Sequence, residues 1–249
     1  MIGFDLNEEQ LRCQEMAKAF AEKEMKPYAA ELDRRQGKTF DWGIVRRFAR
    51  ENLLGLSVPK EHGGMGADKL SCAIVAEELG AACLGISEPA GGTWLATICL
   101  DLVGNEDQKK RYLPLVCGEK AVLAGLAITE SEAGSDMAGI RSLVTKKGDH
   151  YILNGTKTFI TNAGLASFYI VFATVDPKKR DSGLNAFIVD SDAPGLTLGA
   201  IADTMGLRAS QIGELIFDNV KVPEENRLGA FRKVRDELRA YLEKFPQSD

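Results

Sequence analysis

Two stretches of this chain gather residue types that could grip a polar ligand. Residues 126–139 (LAITESEAGSDMAG) run from an apolar segment into a loop dense in small residues and hydroxyls: Thr129, Ser131, Gly134, Ser135 and Gly139. Such a loop can bring backbone N–H groups and hydroxyls against a phosphate without steric cost. The same composition also suits a plain polar turn at the end of a strand. Residues 154–164 (NGTKTFITNAG) place an aromatic, Phe159, and a hydroxyl, Thr161, two positions apart. On a strand, side chains alternate with period two, so both would share a face. An aromatic plane beside a hydroxyl suits a flat heteroaromatic ligand; an inward Phe in a barrel core is the alternative.

Other chemistries find little support. His62 to Gly66 (HGGMG) is glycine-rich, but it lacks the G-x-G-x-x-G spacing and follows no long strand, so it reads as a loop between helices. His62 and His150 are the only histidines, and no pair among Cys13, Cys72, Cys83, Cys99 and Cys117 has C-x-x-C spacing, which leaves a zinc site without a ligand pattern. No G-x-S-x-G elbow occurs, and neither His has a Ser or Cys partner by sequence, so nucleophilic catalysis is unsupported. The sequon at Asn154-Gly155-Thr156 reads more simply as a hairpin turn.

The elements that would hold these stretches differ between the two halves. In the first half, Asn7 with Gln10 forms a capping-box signal flanked by Leu6 and Leu11, and Cys13, Met16 and Phe20 follow at helical spacing. Pro27 bends or restarts this helix. Further helices are expected over about 41–54, 68–82 and 93–103, and from Asn105 to near Gly118. After residue 120 the texture changes to strands: 121–129, 142–147, 150–153, 156–161, 168–175, 184–190, 196–200 and 214–220. Gly148-Asp149 and Asn154-Gly155 read as two-residue hairpin turns. The expected fold is α+β. An N-terminal all-α domain (1–120) precedes an antiparallel β-barrel or sandwich (121–230), and a short amphipathic helix follows (231–249). Phe231, Val234, Leu238, Tyr241, Leu242 and Phe245 form the apolar stripe of that helix, which predicts self-association.

Composition is that of an ordinary globular chain. The 249 residues are 45% hydrophobic and 27% charged, with a formal net charge of −5 and a pI of about 5.3. No dense Lys/Arg block marks a nucleic-acid binder. The apolar runs read as too short to cross a bilayer. Asp5, Glu8, Glu9, Glu15, Glu22 and Glu24 argue against a signal peptide. The odd set of cysteines, each in an apolar or helical context, reads as reduced and buried, implying the cytosol or another reducing compartment.

Taken together, Thr129-Glu130 with Ala133-Gly134-Ser135-Asp136, then Asn154-Gly155 with Lys157 and Ile160-Thr161-Asn162, resemble the acyl-CoA dehydrogenase family. Residues 104–113 (GNEDQKKRYL), Val58-Pro59, Gly63-Gly64, residues 205–208 (MGLR) and residues 217–223 (FDNVKVP) extend the resemblance in family order over about residues 4–229. It implies FAD bound without a covalent link. It also implies oxidation of an acyl-CoA to the 2,3-enoyl-CoA, an electron-transfer flavoprotein as acceptor, and a homo-oligomer or partner chain. By position, Leu126, Ile128 and Thr129 would face the flavin pyrimidine side, and Gly134 and Ser135 the pyrophosphate. Phe159 would cover one flavin face, Ile160 would lie beside it, and Thr161 would bond near N5 or O4. Ser135, Leu95 and Cys99 would border the substrate. The sequence leaves the family pattern after Leu228-Gly229, so the glutamate that takes the α-proton in the family has no matching position, and the family's C-terminal helical domain has no counterpart. Ser131-Glu132 stands where Pro-Gly is common, with Glu132 expected to point to solvent, and Phe159 replaces a frequent Trp. The resemblance leaves two other readings: a non-catalytic relative that binds flavin or acyl-CoA or only packs against a partner, and a flavin monooxygenase or oxidase. The expected compartment is the cytoplasm, or the mitochondrial matrix after processing.

Overall fold

The computed structural model describes residues 5–34 and 40–229. The segment expected to form the last amphipathic helix, Phe231 to Phe245, lies outside them. Helix α1 (Glu8–Phe20) opens on the expected capping box: the Asn7 side chain accepts the Gln10 N–H at 2.9 Å, and the Gln10 side chain accepts the Asn7 N–H at 3.0 Å. It buries Cys13, Ala17 and Phe20, whereas Leu11, one of the two residues flanking the cap, is 45% exposed. A single π turn (Ala21–Met25) passes the chain into α2 (Lys26–Asp33). Pro27 sits in the first turn of α2, where its missing N–H leaves no bond unmade. Helix α3 (Trp42–Arg50), capped by Asp41, buries Ile44, Val45 and Phe48.

Helix α4 (Lys69–Val103) is where the sequence reading needed correction. Two helices were expected, over about 68–82 and 93–103, with residues 83–92 between them. The structure fills that gap with helix and breaks only at Cys83, whose φ is −169° and ψ 107°. Joined in this way, α4 is one helix long and apolar enough by composition to cross a membrane, with a mean hydropathy of 1.5 over its most apolar window. No such run was expected from the sequence. In the fold, α4 is the central core helix: Val75, Leu79, Ile86, Ala90, Ala96 and Leu100 are buried in the two hydrophobic clusters. Helix α5 (Glu106–Tyr112) repeats the capping box at Asn105 and Gln108. The Gln108 amide also donates to the carbonyls of Glu225 and Arg227, tying the helices to the far end of the sheet.

Seven strands form one curled sheet: β1 (Ala124–Ala127), β2 (Leu143–Lys147), β3 (His150–Thr161), β4 (Phe168–Thr174), β5 (Leu184–Asp190), β6 (Leu196–Ile201) and β7 (Ile212–Pro223). The order is β1-β4-β2-β3-β7-β6, with β5 also on β4. Most pairings are antiparallel, but β1 and β2 each run parallel to β4. Strand β4 is buried along its whole length and feeds both cores. Tyr169, Val171 and Ala173 join one cluster, and Phe168, Ile170 and Phe172 face the other. That two-sided burial is why its sequence is a continuous apolar run rather than an alternation.

Gly148 makes the expected tight turn between β2 and β3, with φ 61°. Asn154-Gly155 does not make a turn, and this is a correction. Strand β3 runs straight through it, and the register on β7 shifts between Leu153 and Gly155 as a bulge. Gly155 has φ 148°, and a Cβ there would stand 2.3 Å from the Ser142 hydroxyl. The glycine is required by a close approach of backbone to a neighbouring strand. Asn154 pairs across the bulge, its side chain accepting the Asn219 N–H at 2.8 Å. The cysteines are all free thiols; only Cys13 is fully buried, and the other four, expected to be buried, are half-buried.

Candidate functional site

The loop after β1 and the C-terminal arm of β3 meet edge to edge. The Thr129 carbonyl accepts the Thr158 N–H at 2.9 Å. One residue earlier, the Lys157 ammonium donates to the Ile128 carbonyl at 2.7 Å and to Glu130 Oε1 at 2.8 Å. Lys157 is fully buried, and the Glu130 side chain nearly so. Burial pushes the Lys157 ammonium down to about 8 in spite of the carboxylate beside it. Burial alone would raise Glu130, but donation by Lys157, Ser142 and Arg141 outweighs it and holds the carboxyl below its ordinary range. One carboxylate thereby fixes both ends of the loop, at Lys157 and at Arg141-Ser142.

Beyond Lys157 the strand bulges again before Ile160. The period-two argument fails here, since Lys157 and Ile160, three apart, are both buried. Phe159 takes φ 56° and is 68% exposed. Non-glycine residues in this conformation store about 1–3 kcal/mol and cluster at ligand sites. Thr158 Oγ1 is buried with no hydrogen-bond partner. At Gly134 no atom stands within 4 Å of where a Cβ would be, so the loop is open on that side. An exposed ring and an open loop fit the flat ring and polar edge of the isoalloxazine expected here.

The remaining residues expected at the site fall as follows. Leu126, half-buried, lies on β1, and Ile128 beyond it lines a cavity of about 960 Å³ together with Met137, Ala138, Phe172, Leu184 and Cys99. Gly134 and Ser135 are exposed, just before the turn that leads to Met137 and Ala138. The next residue, Asp136, takes both of its bonds from the Arg180 guanidinium, at 2.9 and 3.0 Å. Glu132 points outward and pairs with Arg141 at 2.8 Å, as expected of a solvent-facing charge. Ile160 is buried in the core, leaving only its backbone for a ligand. Leu95 and Cys99 lie one turn apart on α4; Leu95 is 55% exposed, and burial raises the Cys99 thiol.

Four contributors escaped the sequence reading. Thr161 Oγ1 donates to Glu88 Oε1 on α4 at 2.9 Å. Asn162, buried with φ 66°, donates to the carbonyls of Pro89 and Ala124, so it pins α4 to β1 and β3. Gly92 lets α4 approach this point, since a Cβ there would stand 2.7 Å from the Thr161 methyl. The buried Lys157–Glu130 pair is a fourth. Lys157 shares parity along the strand with Tyr151 and Leu153, both inward, and that signal was available. Nothing in the sequence pairs Glu88 with Thr161, 73 positions away.

Comparison with known proteins gives one consistent result. Residues 7–120 match the family described as acyl-CoA dehydrogenase, N-terminal domain, and residues 125–220 that described as acyl-CoA dehydrogenase, middle domain. The chain is 38% identical over 234 residues to the short-chain specific acyl-CoA dehydrogenase of Clostridium acetobutylicum, an alignment covering 92% of this chain and 60% of that one. Its fold superposes on butyryl-CoA dehydrogenase from Megasphaera elsdenii with a TM-score of 0.84 at 35% identity, covering 92% and 60% of the two chains. A chain in the structure described for the electron transferring flavoprotein of Acidaminococcus fermentans gives the same TM-score, identity and coverage. The chain thus spans about 60% of the length of these relatives.

Proposed function

Because the chain belongs to the acyl-CoA dehydrogenase family, we propose that it holds FAD against the Thr129 loop and the Phe159–Thr161 arm. An acyl-CoA thioester would occupy the adjoining cleft, for α,β-dehydrogenation to the 2,3-enoyl-CoA. The observation that carries this reading is the join between loop and arm, where Thr129 and Thr158 share a backbone hydrogen bond and Lys157 clamps Ile128 and Glu130. When bound, FAD supplies a hydride acceptor for the hydrogen leaving the β-carbon.

The chain's own residues would do the rest. Phe159 offers a ring face for stacking, and Leu126, Ile128 and the Ile160 backbone complete the wall. Thr129 offers a hydroxyl at the edge where negative charge would develop. The small side chains of Gly134 and Ser135 let backbone N–H groups and a hydroxyl approach the pyrophosphate, and Ser135 lies on the route of the CoA moiety. Ile128, Met137, Phe172 and Leu184 form an apolar stretch of the cavity wall, beside Lys146, Asp181, Asn185 and Arg227; an apolar wall next to the thioester would favour removal of its weakly acidic α-proton. Leu95 and Cys99 border the acyl chain. Electrons would pass to an electron-transfer flavoprotein, and the working form would be a homo-oligomer or include a partner chain. The proposal assigns no base among the described residues.

The test is direct. The purified chain should take up added FAD with perturbation of the flavin absorbance bands, and an acyl-CoA added without oxygen should bleach them. A chain that stays colourless with excess FAD would overturn the assignment; rapid return of the bleached flavin's colour on admitting air, with release of hydrogen peroxide, would move it to oxidase chemistry.

A further inference from the structure

Helix α4 presents one face to the Thr161 site. Glu88 and Leu95 are two turns apart, and Cys99 follows after one more, a row about 17 Å long at ~1.5 Å per residue. Cys99 lines the cavity and Leu95, in the middle of the row, is exposed; Glu88, at the other end, lies outside the residues that line that cavity. Glu88 is half-buried, and its Oε1 accepts the Thr161 hydroxyl. Among the described residues no lysine, arginine or histidine pairs with it, and Oε2 accepts no hydrogen bond. A Cβ on Gly91, the next turn of α4, would stand in ordinary contact with Oε2, at 3.7 Å. An ionised carboxylate has room for about four hydrogen bonds, and Thr161 supplies one. A bare alkyl chain laid along this row would strip water from Oε2 and return nothing, a loss of about tenfold in affinity.

We propose that Glu88 determines acyl specificity, favouring thioesters whose acyl chain carries a hydrogen-bond donor, a hydroxyl or an ammonium, over plain alkyl chains of equal length. This rests on the acyl-CoA reading given above. A donor on the chain replaces the water lost from Oε2, and a cation adds the charge that the protein does not supply.

The experiment is equilibrium binding by calorimetry, on the full chain with FAD present. The probes are short alkyl-CoA thioesters, their ω-hydroxy and ω-amino counterparts of matched length, and free CoA. At the best-fitting length the wild type should bind a donor-bearing thioester about tenfold tighter than its alkyl match. Glu88→Gln keeps an acceptor for the hydroxyl, so it should retain the hydroxyl preference and lose the ammonium preference. Glu88→Leu should reverse the order in favour of alkyl chains. Affinity for free CoA should be the same in all three. If Glu88→Leu fails to fold, the ammonium preference in Glu88→Gln, at unchanged melting temperature, decides the matter. An alkyl preference in the wild type at every length, an ammonium preference that survives in Glu88→Gln, or any donor preference that survives in Glu88→Leu overturns the role of Glu88 and leaves the acyl-CoA reading standing. Thioesters that bind no tighter than free CoA overturn both.

Discussion

The residues that matter most here are ones whose local state is unfavourable on its own. Lys157 is a cation with no exposed surface, tolerated because Glu130 and the Ile128 carbonyl accept its hydrogen bonds. Lys157→Met should destabilise the fold by about 3–5 kcal/mol in urea titration, since it leaves Glu130 buried without its cation. Replacing both partners with apolar residues should recover only part of that loss, because Glu130 also accepts the Arg141 and Ser142 N–H groups. Glu130 also sets a pH dependence. Its carboxyl is held below the ordinary range in the fold, so it stabilises the protein above the unfolded carboxyl's pKa, and that stability drains away as pH falls through the folded value. Glu130→Gln should therefore flatten the acid limb of a stability-against-pH profile. Phe159 carries strain of a different kind. Phe159→Gly relieves a φ of 56° and should leave stability equal or higher by up to about 1 kcal/mol, while FAD binding weakens. Parallel loss of stability and FAD affinity would mean that the ring serves the fold.

At the scale of elements, the site is an agreement between three of them. Strand β3 supplies the arm, β1 and its loop supply the polar rim, and α4 backs both through Asn162 and Glu88. The two bulges of β3 allow this. The first, at Gly155, brings the strand close to Ser142; the second turns Phe159 outward while Lys157 and Ile160 stay in. Gly155→Ala should cost more than 2 kcal/mol, roughly the sum of a forced φ and an overpacked contact, and should abolish FAD binding through loss of fold. Gly92→Ala acts more locally. Its methyl would push on Thr161 and separate α4 from β3, costing about 1–3 kcal/mol, with acyl-CoA affinity falling as the Glu88–Thr161 bond lengthens. An unchanged melting temperature in Gly92→Ala would show that the helix can give way.

Across the whole molecule, ligand and fold should be linked. If FAD binds only the folded chain, a concentration about one hundred times its dissociation constant adds ~2.7 kcal/mol of stability and raises the melting temperature with FAD concentration. A melting temperature that ignores FAD would argue against a site built on these elements. Local patterning carried much of the architecture to the reader of the sequence. The capping boxes at Asn7 and Asn105, the turn at Gly148 and the run of β4 are dictated within a few residues, because a cap or turn satisfies its own backbone groups. The Thr129 loop and the Phe159–Thr161 arm were legible as well, through residue types and a family resemblance. What the sequence alone did not decide was anything set by distant approach. Asn154-Gly155 has the chemistry of a hairpin turn, yet here it serves a bulge, because Ser142 passes too close for any side chain. Residues 83–92 were expected to lie between two helices, yet beyond the break at Cys83 they are helical, and there the buried Asn162 amide donates to the Pro89 carbonyl. The meeting of Glu88 with Thr161 belongs to neither segment. It arises only when packing brings α4 across the end of β3, since a lone carboxylate or hydroxyl carries no mark of the partner that folding will give it.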